Sequence, residues 1–355
     1  MSQENTTSGS AEAIDFKKTE EQFDSLLRFK NLDEHLDKVG SVRESFEDVL
    51  EVAIAEAFCD EGDAQEANLF LHRILYRINR LKLFWYDDLS EYTNETSVYI
   101  SSVRSKIESE WQEWESKKVD FESLKHQEFE ATVRERVAED LATKPDETGK
   151  YFRDQMSLEG YRHLLGIASL DGLVEASQLS RVLGGVGNKI QSMLTRILLE
   201  EYGGGRLAKK HSSFFSAMLV ELGMNSEPEA YRDLAPWEVL ANINHSFFLS
   251  ERKRNFLRYV GALLYTEVSV PSAFENYLEA GKRLGLSDQA IGYWDLHIKE
   301  DQRHGQWMLE DVALPLADIY KENSWEILWG YDQQRLFSKR IGEAIVRSIS
   351  EAELA

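Results

Sequence analysis

Apolar residues in this chain return every three or four positions, and little interrupts them. In Ala67–Trp85, Phe70, Ile74, Leu75, Ile78, Leu81 and Phe84 form one stripe, while Arg and Lys occupy the rest of the turn. Val and Ile rarely alternate with polar residues as a half-buried strand would require, and 355 residues contain only five prolines. The pattern predicts an all-α fold. With 42% hydrophobic residues the chain can bury a large core, as one large domain or two modest ones.

Residues 1–13 are rich in Ser, Thr, Asn and Glu and read as a disordered tail. Residues 14–125 read as a helical accessory or dimerisation region. Within it Trp111 and Trp114 lie three apart, so both rings share a face that should plug into a neighbouring helix. Residues 126–355 read as the main domain, with a break at Lys144-Pro145-Asp146-Glu147-Thr148-Gly149 and longer, more apolar helices after it. Among these the spacing predicts helices over Leu170–Gly184, Arg252–Glu267, Pro271–Leu284 and Ser287–Leu314. Gly203-Gly204-Gly205 should end a helix, because glycine tolerates the left-handed backbone found there.

Charge narrows the function. The net charge is −22, from 63 acidic and 41 basic residues, which argues against a nucleic-acid partner. The single cysteine, Cys59, rules out internal disulfides and a cysteine-built metal cage, and its apolar neighbours Ala53–Phe58 suggest a small core residue. No basic and apolar leader opens the chain, and no run of about 18 apolar residues could span a bilayer. The expectation is a soluble, cytoplasmic protein with no membrane partner.

The chemistry-bearing motif lies late. His297, Asp301 and His304 follow one another at steps of four and three, which places them within about 60° of arc on one helix face. Two imidazoles and a carboxylate suit a first-row transition metal, although the same spacing also occurs on solvated helix faces. Other acidic or imidazole side chains sit beside apolar runs: Glu175, Glu201, His211 and Glu267. Together these make four carboxylates and three imidazoles, more than one catalytic zinc needs and suited to two irons held in a helical bundle. The Glu-x-x-His pairs of ferritin-like sites are missing: no Glu stands three residues before any histidine. Glu200 is expected on the solvent side of its helix, and Tyr293, Trp294 and Arg303 in packing or surface roles.

The stretch Glu200-Glu201-Tyr202-Gly203-Gly204-Gly205, then His211, Phe214-Phe215 and Leu222-Gly223, resembles a motif of the haem-oxygenase-like di-iron oxidases, the iron-containing redox enzymes. Thr266-Glu267 and His297-x-x-x-Asp301-x-x-His304 look like the second half of that motif, over about Arg153–Asp318. The resemblance is nearest to the family's N-oxygenating branch, which has an additional upstream carboxylate where Glu175 stands. It implies a haem-oxygenase-like helical bundle, two iron ions, dioxygen as co-substrate, an external reductant, and an amine-type small-molecule substrate oxygenated at nitrogen. A helical region before the catalytic domain, as in that branch, implies a homodimer. By resemblance Glu201, His211 and His304 would hold one iron and Glu175, His297 and Asp301 the other, with Glu267 between them. Alternatives are oxidative C–C cleavage or desaturation of a fatty or amino acid, and a non-enzymatic helical binding protein.

Overall fold

Helix-forming residues and apolar stripes make every regular element. A computed structural model describes residues 14–59 and 64–354, and no strand occurs among them. The tail expected over residues 1–13 lies outside the described residues. The chain divides into two compact units, Met1–Trp114 and Glu115–Ala355.

The first unit contains α1 (Phe16–Leu27), α2 (Gly40–Ala57), α3 (Gln65–Arg80) and most of α4 (Val98–Ser116). Asp15 caps α1, its carboxylate accepting from the Lys18 amide at 3.0 Å. Phe23 stacks on Phe46 at 5.0 Å between centroids, and Phe70 and Ile74 complete this core. The stripe on α3 is buried as expected except at its end, where Phe84 is exposed because the helix has stopped at Arg80. Trp111 is fully buried with its ring edge-on to His72, and Trp114 meets Phe58. Cys59 is exposed, contrary to the expected core position. It follows the end of α2 at Ala57 and faces water.

The second unit is built from α5 (Phe129–Leu141), α6 (Leu158–Gly172), α7 (Lys189–Glu201), α8 (His211–Glu221), α9 (Trp237–Glu251), α10 (Phe256–Arg283), α11 (Asp288–Trp307) and α12 (Trp325–Leu354), joined by short turns. Helix α10 is its spine and packs along both α11 and α12, while α8 packs on α11. Two glycines let α10 and α12 touch backbone to backbone. A Cβ on Gly261 would lie 1.9 Å from the Ile327 carbonyl oxygen, and one on Gly330 would lie 2.0 Å from that of Arg258.

Three expected helices differ. Arg252–Glu267 and Pro271–Leu284 form one continuous helix, with Pro271 inside it. Proline has no N–H for the carbonyl four residues back, here Glu267, but the surrounding packing carries the helix through. The helix expected over Leu170–Gly184 stops at Gly172 instead. Gly172 sits against the Phe215 ring, with a built Cβ only 2.7 Å from it, and Ala176 turns left-handed at φ 62°. Glu175 therefore stands in an irregular turn, from which its side chain reaches Tyr293 and His297 on α11.

Candidate metal centre

Five elements deliver the candidate ligands. Glu201 is the last residue of α7 and His211 the first of α8. The connection between them doubles back tightly: Gly203 has φ +59°, and a Cβ there would lie 2.3 Å from the Lys209 carbonyl carbon. Glu267 lies mid-way along α10, and His297, Asp301 and His304 line one face of α11. Gly305 lets α11 come close to α10 beside the Glu267 carbonyl, where a Cβ would stand at 3.3 Å. Glu175 arrives from the turn after α6. All seven come together, and all except the half-buried Glu175 are buried.

Their donor atoms close on two adjacent points. Glu175, Glu201, His211 and His297 offer ligand atoms within 4.8 Å of one another, and so do Glu201, Asp301 and His304. Glu201 belongs to both groups. One oxygen stands 2.7 Å from His211 Nδ1 and the other 3.3 Å from His304 Nδ1. Glu267 reaches the second group, 3.4 Å from His304 Nδ1. This grouping differs from the one the resemblance implied. His211 stands with His297 and Glu175, while His304 stands with Asp301 and Glu267.

Each imidazole is oriented by an acceptor on its outer side. His297 Nδ1 donates to the Tyr293 carbonyl at 2.9 Å, because a carbonyl can only accept. His211 Nε2 faces the Glu300 carboxylate at 3.2 Å, and His304 Nε2 faces that of Glu200 at 3.1 Å. With its proton on the outer nitrogen, each neutral ring would aim its lone pair inward. His211 Nδ1 and His297 Nε2 lie 3.1 Å apart, and each also faces a carboxylate, Glu201 at 2.7 Å and Glu175 at 2.8 Å. His304 Nδ1, Asp301 Oδ1 and Glu175 Oε2 are buried without a hydrogen-bond partner. Orphaned donor atoms converging in this way fit metal ligation.

The electrostatics agree. Burial pushes Asp301 well above the usual carboxylate range, and the neighbouring Glu267 carboxylate adds to the effect. Glu267 is raised by the same burial. Glu201 is held far below that range against its burial, by the His211 and His304 imidazoles beside it. Burial works to lower His297 and His304, yet Glu175 lifts the first to about 10, and Glu201 and Glu267 lift the second to about 11. Without a cation, the cluster keeps its charges balanced by retaining protons. Four carboxylates would balance two divalent ions with all three imidazoles neutral.

Several supporting residues escaped the sequence reading. Glu200 does not simply face solvent: it is half-buried, orients His304 and accepts from Arg303 at 2.6 Å. Tyr293 is not mere packing, since its hydroxyl donates to Glu175 Oε1 at 2.8 Å. An aromatic hydroxyl one turn before a ligand histidine was the available signal. Glu300 carried none, because its partner His211 comes from another helix. Trp294 does pack, its indole N–H donating to the Tyr161 hydroxyl. His163 and His245 lie elsewhere, against Ser348 and Phe337.

The site opens on a cavity of about 230 Å3, walled by Leu179, Ala262, Leu263 and Phe274 among others and reached by Glu175, Glu201, Glu267, His297 and Asp301. Known proteins are similar to part of this chain. The family model described as iron-containing redox enzyme matches residues 162–334. Over these residues the chain is similar to the iron-containing redox enzymes. The nitrosourea synthase of Streptomyces achromogenes subsp. streptozoticus is 29% identical over 172 residues, 47% of this chain and 36% of the relative. The chain thus spans about a third of the length of the curated relative it matches. The all-α, haem-oxygenase-like bundle expected from the sequence is the fold observed. No helix among the described residues is long and apolar enough to cross a membrane.

Proposed function

We propose that this chain is a non-haem di-iron N-oxygenase that uses dioxygen to convert an amine, amino-acid or guanidine-like nitrogen of a small molecule to hydroxylamine or nitro. The observation that carries the reading is the pair of abutting donor groups that share Glu201 beside the cavity. Glu175, His211 and His297 would hold one ion and Glu267, Asp301 and His304 the other, with Glu201 between them. Similarity to a relative named for making a nitrosourea supports nitrogen as the reacting atom.

Each hydroxylation, R–NH2 + O2 + 2 H+ + 2 e− → R–NHOH + H2O, draws two electrons from an external reductant. The ferrous ions, when bound, supply the one-electron steps that make dioxygen reactive. The protein's own residues set the stage. Glu200, Glu300 and the Tyr293 carbonyl hold the imidazoles in ligating orientation. Tyr293 fixes one Glu175 oxygen and leaves the other free for an ion. Leu179, Ala262, Leu263 and Phe274 give part of the cavity an apolar wall. A cavity of about 230 Å3 suits a small amine better than a long fatty chain, which bears on the C–C cleavage alternative.

The test is aerobic incubation of iron-loaded protein with a reductant and a panel of amines and amino acids, followed by mass spectrometry. The expected product retains every carbon and gains oxygen at nitrogen. Loss of carbon, or an alkene product, would assign the chain to carbon chemistry instead.

A further inference from the structure

One cavity residue is unexplained by the metal site. Asp171 is the penultimate residue of α6 and lines the same cavity as the ligands. Its side chain is exposed rather than packed, and it is one of the residues that line the cavity. It belongs to neither donor group, and no described residue gives its carboxylate a hydrogen bond or an ion pair. Its position is unfavourable on three counts. The protein atoms around it oppose ionisation, the Glu175 carboxylate repels it, and together they push its carboxyl up to about 6. It also sits at the negative end of a helix dipole, with no basic residue in that last turn. A carboxylate kept in such a place without a partner is explained if the partner arrives with the ligand.

Resting on the oxygenase reading above, we propose that Asp171 is the positioning residue of the cavity: its carboxylate pairs with a cationic ammonium or guanidinium group of the substrate and so presents a second nitrogen to the metals. The anchored group is not the one oxygenated. A nitrogen held as a cation against a carboxylate keeps its proton and has no lone pair to offer. Tyr259 and Gln178 line the same cavity and offer a hydroxyl and an amide beside the anchored group. Charge-assisted pairing is worth roughly tenfold to a hundredfold in affinity.

The test uses the full chain loaded with ferrous iron under anaerobic conditions, so that no turnover is needed. Calorimetry compares 1,5-diaminopentane and L-arginine, which carry a second cationic group, with n-pentylamine, which does not. Wild-type protein should bind at least one of the first two more tightly than n-pentylamine, by roughly tenfold or more. Asp171→Asn should erase that preference, Asp171→Glu should restore part of it, and both should keep the wild-type iron content. Equal preference in Asp171→Asn, or no preference in wild type, would overturn the proposal. Loss of iron in Asp171→Asn would overturn it too, by placing Asp171 at the metal. Product analysis of the same protein in air separates the two readings. Discriminating binding with oxidation at carbon would keep Asp171 as the anchor and sink the N-oxygenase.

Discussion

The three histidines turn their outer nitrogens to acceptors and their inner nitrogens to the Glu175, Glu201 and Glu267 carboxylates. The outer partners can be tested singly. Glu300→Ala frees His211, and Glu200→Ala frees His304, to rotate or change tautomer. Loss of such a supporting carboxylate typically weakens metal binding about 10- to 100-fold. Each variant should therefore lower ferrous affinity at its own position, read by competition with a chromogenic chelator, and unchanged affinity would remove these residues from the site. The raised imidazolium values of about 10 and about 11 carry a second expectation. At pH 7 both rings hold protons that an incoming ion must displace. Calorimetric titration with ferrous iron should show a heat that varies with the ionisation enthalpy of the buffer, in the sense of proton release. A buffer-independent heat would contradict the assignment.

Helices set the distances between these residues, and α10 sets most of them. Its contact with α12 depends on Gly261 and Gly330 having no side chain. Gly261→Ala drives a methyl into a backbone carbonyl that cannot yield, so a loss of about 3 kcal/mol or more is expected from urea midpoints; a loss within experimental error would mean the helices can part freely. The elements also show what a sequence can reveal. The steps between His297, Asp301 and His304 were legible because one helix carries all three residues. The helices of the bundle were legible from apolar spacing. Pro271 suggested a boundary that tertiary packing overrides, as the continuous α10 shows. Glu175 was legible only through resemblance, since the turn that delivers it depends on Gly172 meeting Phe215 from α8. Glu200 and Glu300 were not legible in their roles, because each acts across to a histidine on a different helix.

For the whole molecule, the buried acidic cluster makes stability depend on its cations. In the metal-free chain Asp301 and Glu267 retain protons in the folded state that they lose when unfolded. His297 and His304 likewise keep protons above their ordinary range. All four shifts make the folded state bind more protons, so this contribution to stability is complete at low pH and is lost as pH rises. Glu201 acts with the opposite sign, but only on the acid side. The thermal midpoint of metal-free protein should fall from pH 6.5 to 9, and ferrous iron should raise it most at the upper end, since a ligand at about 100 times its Kd adds about 2.7 kcal/mol. A midpoint insensitive to both would show that the cluster is not the charged centre described. The most direct measurement is the iron content of the purified chain after anaerobic loading with ferrous iron, in wild type and in Asp301→Ala. The account expects two irons per chain in wild type and fewer in the variant. A wild-type chain that takes up no iron, or one that keeps the same single ion when Asp301 is removed, would contradict it.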